Sequence, residues 1–206
     1  MIKRPLVFVD IDTQRDFLDS DGALHVPGSR EILRNLARLT VFARREGIPV
    51  IATACSHTPD DAEMAIFGPH CLAGTRGQQR VPETSWSDVG SLTIGVSDRF
   101  EPGIPIPSHL TIEKREYDVF RHPEANAIVA RYDEGKPTFV VYGVATDYCV
   151  KAAVLGLLER GCKVAVIVDA IRAIDAKGEP AVLDEFTRRG ALLTITDVVC
   201  LDGTTA

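Results

Sequence analysis

Short runs of β-branched and aliphatic residues punctuate the chain, and the segments between them carry a helical period. The runs are LVFVDI (6–11), PVIATA (49–54), TFVVYGV (138–144), KVAVIVDA (163–170) and ALLTIT (191–196), with a weaker one at HLTIEK (109–114). Continuous apolar runs, rather than alternating ones, mark strands buried on both faces, as in a parallel sheet. Between them, Ile32, Leu36, Leu39 and Ala43 repeat at helical spacing behind Pro-Gly-Ser at 27–29, and Gly47 ends the segment. Val150, Val154 and Leu158 mark a second helix within 146–160, closed by Arg160 and Gly161; Val182, Leu183 and Phe186 mark a third, with Gly190 after it. Alternating strands and helices predict a three-layer α/β/α doubly wound sheet of about six mostly parallel strands, joined by right-handed crossovers. The stretch 55–108 has little periodicity and reads as loops and short helices covering a site.

At 206 residues, the chain reads as one domain, 1–206. Acidic residues outnumber basic ones, 29 to 23, for a net charge of −6. No basic patch is evident, which argues against nucleic acid as a partner. The longest strictly apolar runs, such as Val164–Val168, hold about five residues, far below the ~18 of a membrane span. Five scattered cysteines without a CxxC pair fit a reducing compartment, and the short apolar stretch before Asp10 is no signal-peptide core. A cytoplasmic protein is expected.

In doubly wound sheets, ligands bind outside the carboxyl ends of the strands. Three strand ends carry reactive groups: Asp10, Lys114 and Cys149. Singly, each has a plain structural reading, as a turn residue, a surface cation and a small buried hydrophobe. At one rim they form the set that covalent catalysis needs: nucleophile, base and orienting cation. Thr146 or Asp147 is placed to cap the helix that Cys149 opens. Free N–H groups and the positive end of the helix dipole there favour thiolate and stabilise an oxyanion. Asp12, Asp19 and Asp21 read as a solvated turn. Cys71, Cys162 and Cys200 read as small apolar groups.

Five ordered blocks resemble the isochorismatase-like cysteine hydrolases, and among them the nicotinamidases. FVDIDTQRDF (8–17) is similar to the family's opening D-x-Q-x-D-F, read with Asp10, Gln14, Asp16 and Phe17 in place. FGPHCLAGTRG (67–77) looks like the nicotinamidase segment around a metal-binding histidine. IEKREYDVF (112–120) carries the lysine, VYGVATDYCVKAAVLGLLERG (141–161) the nucleophile turn, and VIVDAIRAID (166–175) completes the set. The resemblance implies an amidohydrolase of the isochorismatase-like fold. Cys149 attacks a carboxamide, Asp10 moves the proton, Lys114 orients, and a thioester forms. Backbone N–H groups of Ala145 and Cys149 make the oxyanion hole, with a cis peptide at Val144–Ala145. It implies a homo-oligomer, a dimer or tetramer, and a small amide as substrate, nicotinamide first, with no organic cofactor.

Nicotinamidases also hold a metal, which receives the pyridine nitrogen. Its ligands come from a D-x-H segment and a later histidine, which here match His57 and His70. The aspartate position is Cys55, a departure from the pattern, and some members add an acid that matches Glu63. Cys55, His57, Glu63 and His70 are therefore the expected ligands, and a thiolate among them points to Zn²⁺. The competing reading is a site that has lost its metal. Phe17, Phe67 and Phe120 fall in the matched blocks and are candidates to stack on a flat substrate ring. Alternative functions are hydrolysis of a ureido or carbamoyl compound, a non-catalytic small-ligand module, or oxidant sensing by Cys149. The ether-cleaving isochorismatase branch lacks the nucleophilic cysteine.

Overall fold

In the computed structural model, residues 5–86, 90–101 and 103–201 are described. Seven strands form one parallel sheet: β1 (Leu6–Ile11), β2 (Val50–Cys55), β3 (Ser91–Ile94), β4 (His109–Lys114), β5 (Thr138–Val144), β6 (Lys163–Arg172) and β7 (Leu192–Thr194). Their order is β3-β4-β2-β1-β5-β6-β7. The helices are α1 (Arg15–Leu18), α2 (Ser29–Glu46), α3 (Met64–Phe67), α4 (Ala125–Tyr132), α5 (Lys151–Glu159), α6 (Glu179–Arg188) and α7 (Thr196–Leu201). This is the expected α/β/α architecture with one strand more. The addition, β3, lies inside the stretch read as loops. It is an edge strand of four residues between Gly90 and Gly95, and only Ile94 in it is buried. A strand that short, with one core residue, leaves no apolar run to detect. The last predicted strand is also shorter than its run, because α7 begins at Thr196.

Alternate residues of the central strands feed two cores. Val7, Val9, Ile11, Leu110, Ile112 and Val141 pack against Ile128 of α4, Val154 of α5 and Phe186 of α6. Leu6, Phe8, Val50, Val140 and Tyr142 pack against Ile32, Leu36, Leu39 and Ala43 of α2. Those four α2 residues have no exposed surface. Burying a large aliphatic side chain of this kind contributes about 1.5–3 kcal/mol. Among the described residues, no helix is long and apolar enough to cross a membrane.

The chain leaves β1 in one direction toward β2 and β4, and returns on its other side as β5. At the carboxyl rim of such a switch point, doubly wound sheets place their ligands. Gly143 lets β5 close against β1 there: at φ 115, a Cβ on it would lie 2.0 Å from the Ile11 carbonyl oxygen. No residue with a side chain fits between the two strands at that level.

Candidate active site

Lys114 is the last residue of β4 and is almost wholly buried. Its ammonium has three protons to donate, and three acceptors surround it. Nζ lies 2.8 Å from Asp12 Oδ2, 3.2 Å from Cys55 Sγ and 3.6 Å from Cys149 Sγ. Burial alone would lower the lysine pKa, but Asp12 and the two sulfurs hold it well above its ordinary value. Asp12 receives further bonds from its own surroundings. The Thr53 hydroxyl donates to Oδ1 at 2.5 Å, and the Cys55 thiol donates to Oδ2 at 3.6 Å. Burial would raise its pKa, yet the Lys114 charge and the hydrogen bonds from Cys149, Lys114 and Thr53 bring it below the usual carboxylate value. The Cys149 thiol is pushed the other way, well above its ordinary value, by its contact with Cys55 and by burial, which Lys114 offsets only in part. Burial and the Cys55 contact thus oppose the thiolate that the helix start was expected to favour.

Asp10, the expected base, is elsewhere. It lies within β1, on the side of Leu6 and Phe8, where it faces the α2 core rather than the rim. Its carboxylate accepts from Arg80 and from Thr13 Oγ1, the latter at 2.9 Å. Burial raises its pKa, and Arg80 offsets this only partly. Asp12 follows the strand, and its left-handed turn, φ 47, precedes the rim loop. It is fully buried, not solvated as the sequence reading had it. The missed signal is spacing: D-x-Q-x-D-F, matched letter by letter, starts at Asp12.

Cys149 lies in a five-residue π turn, Thr146–Val150, that runs into α5. Neither Thr146 nor Asp147 caps it by a side chain. They brace it instead: Thr146 Oγ1 donates to Glu179, and the Asp147 carboxylate accepts the N–H groups of Ile174 and Asp175. The Val144–Ala145 peptide is cis, as the resemblance implied. The Ala145 carbonyl accepts from the N–H groups of Tyr148 and Val150, both at 3.1 Å, and neither bond uses that of Cys149.

Gln14 and Asp16 hold the loops around the rim. Gln14 clamps the end of β2, accepting from Cys55 N–H at 2.7 Å and donating to the Cys55 carbonyl at 2.8 Å. Asp16 accepts from Cys71 N–H at 2.6 Å, next to His70.

Beside this centre, ligand atoms of His57, Glu63 and His70 lie within 4.8 Å of one another, all buried. The residues fit a metal ion. His57 Nδ1 is held by Asp61 at 3.2 Å, and its Nε2 is buried without a hydrogen-bond partner. His70 Nδ1 is held by the Gly68 carbonyl at 2.8 Å, leaving its other nitrogen free to coordinate. A histidine fixed at one ring nitrogen and open at the other is the arrangement of a metal ligand. Glu63 Oε1 accepts from Tyr117 N–H at 2.6 Å, and Oε2 lies 3.6 Å from His57 Nε2. Cys55 is not in this group. Its sulfur belongs to the Asp12–Cys149 group around Lys114, because Gln14 aligns the end of β2 with the rim of β4. The case for zinc from a thiolate ligand falls with it.

The aromatic expectations divide. Phe17 and Phe67 both meet the His70 ring, with centroids 5.6 and 6.2 Å away. Phe120 does not join them. It packs on Gly156 of α5 under the Arg160 guanidinium, which lies 3.6 Å from its centroid, and is part of the core. Two tyrosines absent from the sequence reading complete the rim. Tyr148 meets Phe67 edge-on at 5.1 Å and Tyr117 at 6.2 Å. Position next to Cys149 was the available signal for Tyr148.

The isochorismatase domain family matches residues 6–94 and 97–198 of this sequence. The chain belongs to that family. Among its relatives, a nicotinamidase of Escherichia coli (strain K12) is 27% identical over 94% of this chain and 96% of its own length. The N-carbamoylsarcosine amidase of Thermoplasma acidophilum has a similar structure, with TM-score 0.74 and 25% identity over 94% of this chain and 98% of that one. A Pyrococcus horikoshii pyrazinamidase, solved in complex with zinc, superposes with TM-score 0.72 and 23% identity, over 93% of this chain and 99% of that one. This isochorismatase-family hydrolase thus shares its fold with amidases of different substrates.

Proposed function

We propose that this family member is a cysteine amidohydrolase of small carboxamides, with Cys149 as nucleophile, Asp12 as proton carrier and Lys114 as orienting cation. The observation that carries this is the convergence of Asp12 and Cys149 on one buried ammonium. Asp12, kept ionised by Lys114, takes the thiol proton as the sulfur attacks the amide carbon. The developing oxyanion accepts from the N–H groups of Ala145 and Cys149. Asp12 then returns the proton to the amine, which leaves as ammonia. A water molecule, deprotonated by the same carboxylate, opens the thioester and frees the acid. His57, Glu63 and His70 would hold a divalent ion, which supplies a Lewis-acidic position for a substrate heteroatom beside the thiol. The zinc of the Pyrococcus horikoshii protein makes zinc the first ion to test.

Nicotinamide is the first substrate to test, supported by the histidine–glutamate cluster and by Phe67 and Tyr148 at the rim. A carbamoyl compound is the second, favoured by the likeness to N-carbamoylsarcosine amidase. The test is ammonia release from nicotinamide, pyrazinamide and N-carbamoyl acids, with Cys149→Ala alongside. Turnover of a panel member that vanishes in Cys149→Ala, with ligand binding retained, is the expected result. Undiminished turnover in that variant excludes the covalent route. Binding without turnover in the wild type leaves a ligand-binding module.

A further inference from the structure

The proposed mechanism uses one thiol, yet two reach the same ammonium. Cys55 Sγ is 3.2 Å from Lys114 Nζ, closer than Cys149 Sγ at 3.6 Å. The two sulfurs and the Asp12 oxygen lie within 4.8 Å of one another. A disulfide needs its sulfurs at about 2.05 Å, and these two start at most 4.8 Å apart. Cys149 retains 9% exposure and Cys55 only 1%. A small oxidant therefore meets Cys149 first, with Cys55 already behind it.

We propose that Cys55 and Cys149 are a modification site: a resolving and a reacting thiol that close to a reversible disulfide when hydrogen peroxide enters the active site. The Cys149 sulfur attacks one peroxide oxygen, the O–O bond breaks, and water leaves with the thiol proton. Sulfur is oxidised to sulfenic acid as peroxide is reduced. The Cys55 sulfur then attacks the Cys149 sulfur. The S–O bond breaks, the S–S bond forms, and the hydroxyl leaves as a second water with the Cys55 proton. Asp12, to which the Cys55 thiol already donates, carries that proton. The bond spares Cys149 from irreversible sulfinic acid. Cys71 is the competing partner; its sulfur lies near the Gly77 carbonyl, 3.9 Å away, in the loop that carries His70.

The test is peroxide treatment of the full chain, alkylation of remaining thiols, digestion without reductant and tandem mass spectrometry. The expected result is a cross-linked Cys55–Cys149 peptide pair lacking two hydrogens. Ammonia release should fall about tenfold or more and return with dithiothreitol. In Cys55→Ser, the cross-link should be missing, Cys149 should become sulfinic acid, and reductant should no longer restore turnover. Wild-type Cys149 found as sulfinic acid beside alkylated Cys55, or cross-linked to Cys71, overturns the proposal. Should Cys55→Ser not fold, the wild-type cross-link decides alone. That readout needs no substrate, so it stands apart from the amidase assay.

Discussion

Lys114 Nζ lies 2.8 Å from Asp12 Oδ2, and both groups are buried at the carboxyl rim of the sheet. Asp10, two residues earlier, is bound to Arg80 on the other face. Under the proposed function, the pair of aspartates separates chemistry from stability. Asp12→Asn should lower kcat by about 10²–10⁴, the range for loss of a positioned acid–base group. Asp10→Asn should leave kcat of the folded enzyme within about tenfold of wild type. It should lower unfolding free energy by about 1–3 kcal/mol, because the partly buried Arg80 loses its charged hydrogen-bond partner. Steady-state ammonia release and urea unfolding of the two variants check this, and the reverse pattern would return the base to Asp10.

Metal content should follow the histidines and not Cys55. His57→Ala and His70→Ala should lose the bound ion on dialysis, whereas Cys55→Ala should keep wild-type stoichiometry by elemental analysis. Asp61→Asn removes the carboxylate that fixes His57 Nδ1. It should weaken metal affinity by about 10–100-fold.

The rim aromatics should control substrate affinity, and Phe120 should not. Phe67→Ala or Tyr148→Ala should raise KM for a ring amide by up to about tenfold, since aromatic contacts contribute roughly 0.5–1.5 kcal/mol each. Phe120→Leu should leave KM unchanged and lower Tm, as the ring packs on Gly156 and under Arg160. Parallel KM and thermal-melt measurements separate the two effects.

His109 should make stability fall in acid. It stacks on Trp86, and burial, with lesser contributions from Arg80 and Arg44, lowers its pKa to about 3. Its unfolded value is near 6.5. Between these values the unfolded chain binds the extra proton, so unfolding free energy drops as pH falls through that window, at about 1.4 kcal/mol per unit. His109→Gln cannot take the proton. The gap between wild type and variant should therefore change with that slope from pH 6 to 4, read by Trp86 emission in urea. A gap independent of pH would contradict the assignment.

Much of the architecture was legible because burial leaves a linear trace. Residues 6–9 and 139–141 are apolar throughout since both faces of β1 and β5 are covered. Ile32, Leu36, Leu39 and Ala43 keep a helical period since one side of α2 meets the sheet. Edge strand β3 left no such trace, having one buried residue of four. Lys114 was found because it stands where a strand stops, and Cys149 because it lies in the turn that follows one.

The sequence by itself determined the α/β class, the rim as the place of the site, and the lysine, thiol and two histidines gathered there. Only the tertiary structure decided which aspartate meets Lys114, that Cys55 turns to Cys149 rather than to the histidines, and that Phe120 packs against the core. The reason is that a strand's alternation tells which residues share a face, while which face meets the site, and where the chain turns past the strand end, depend on neighbours tens of residues away. Gln14 setting the end of β2, and Arg80 claiming Asp10, are contacts of that kind.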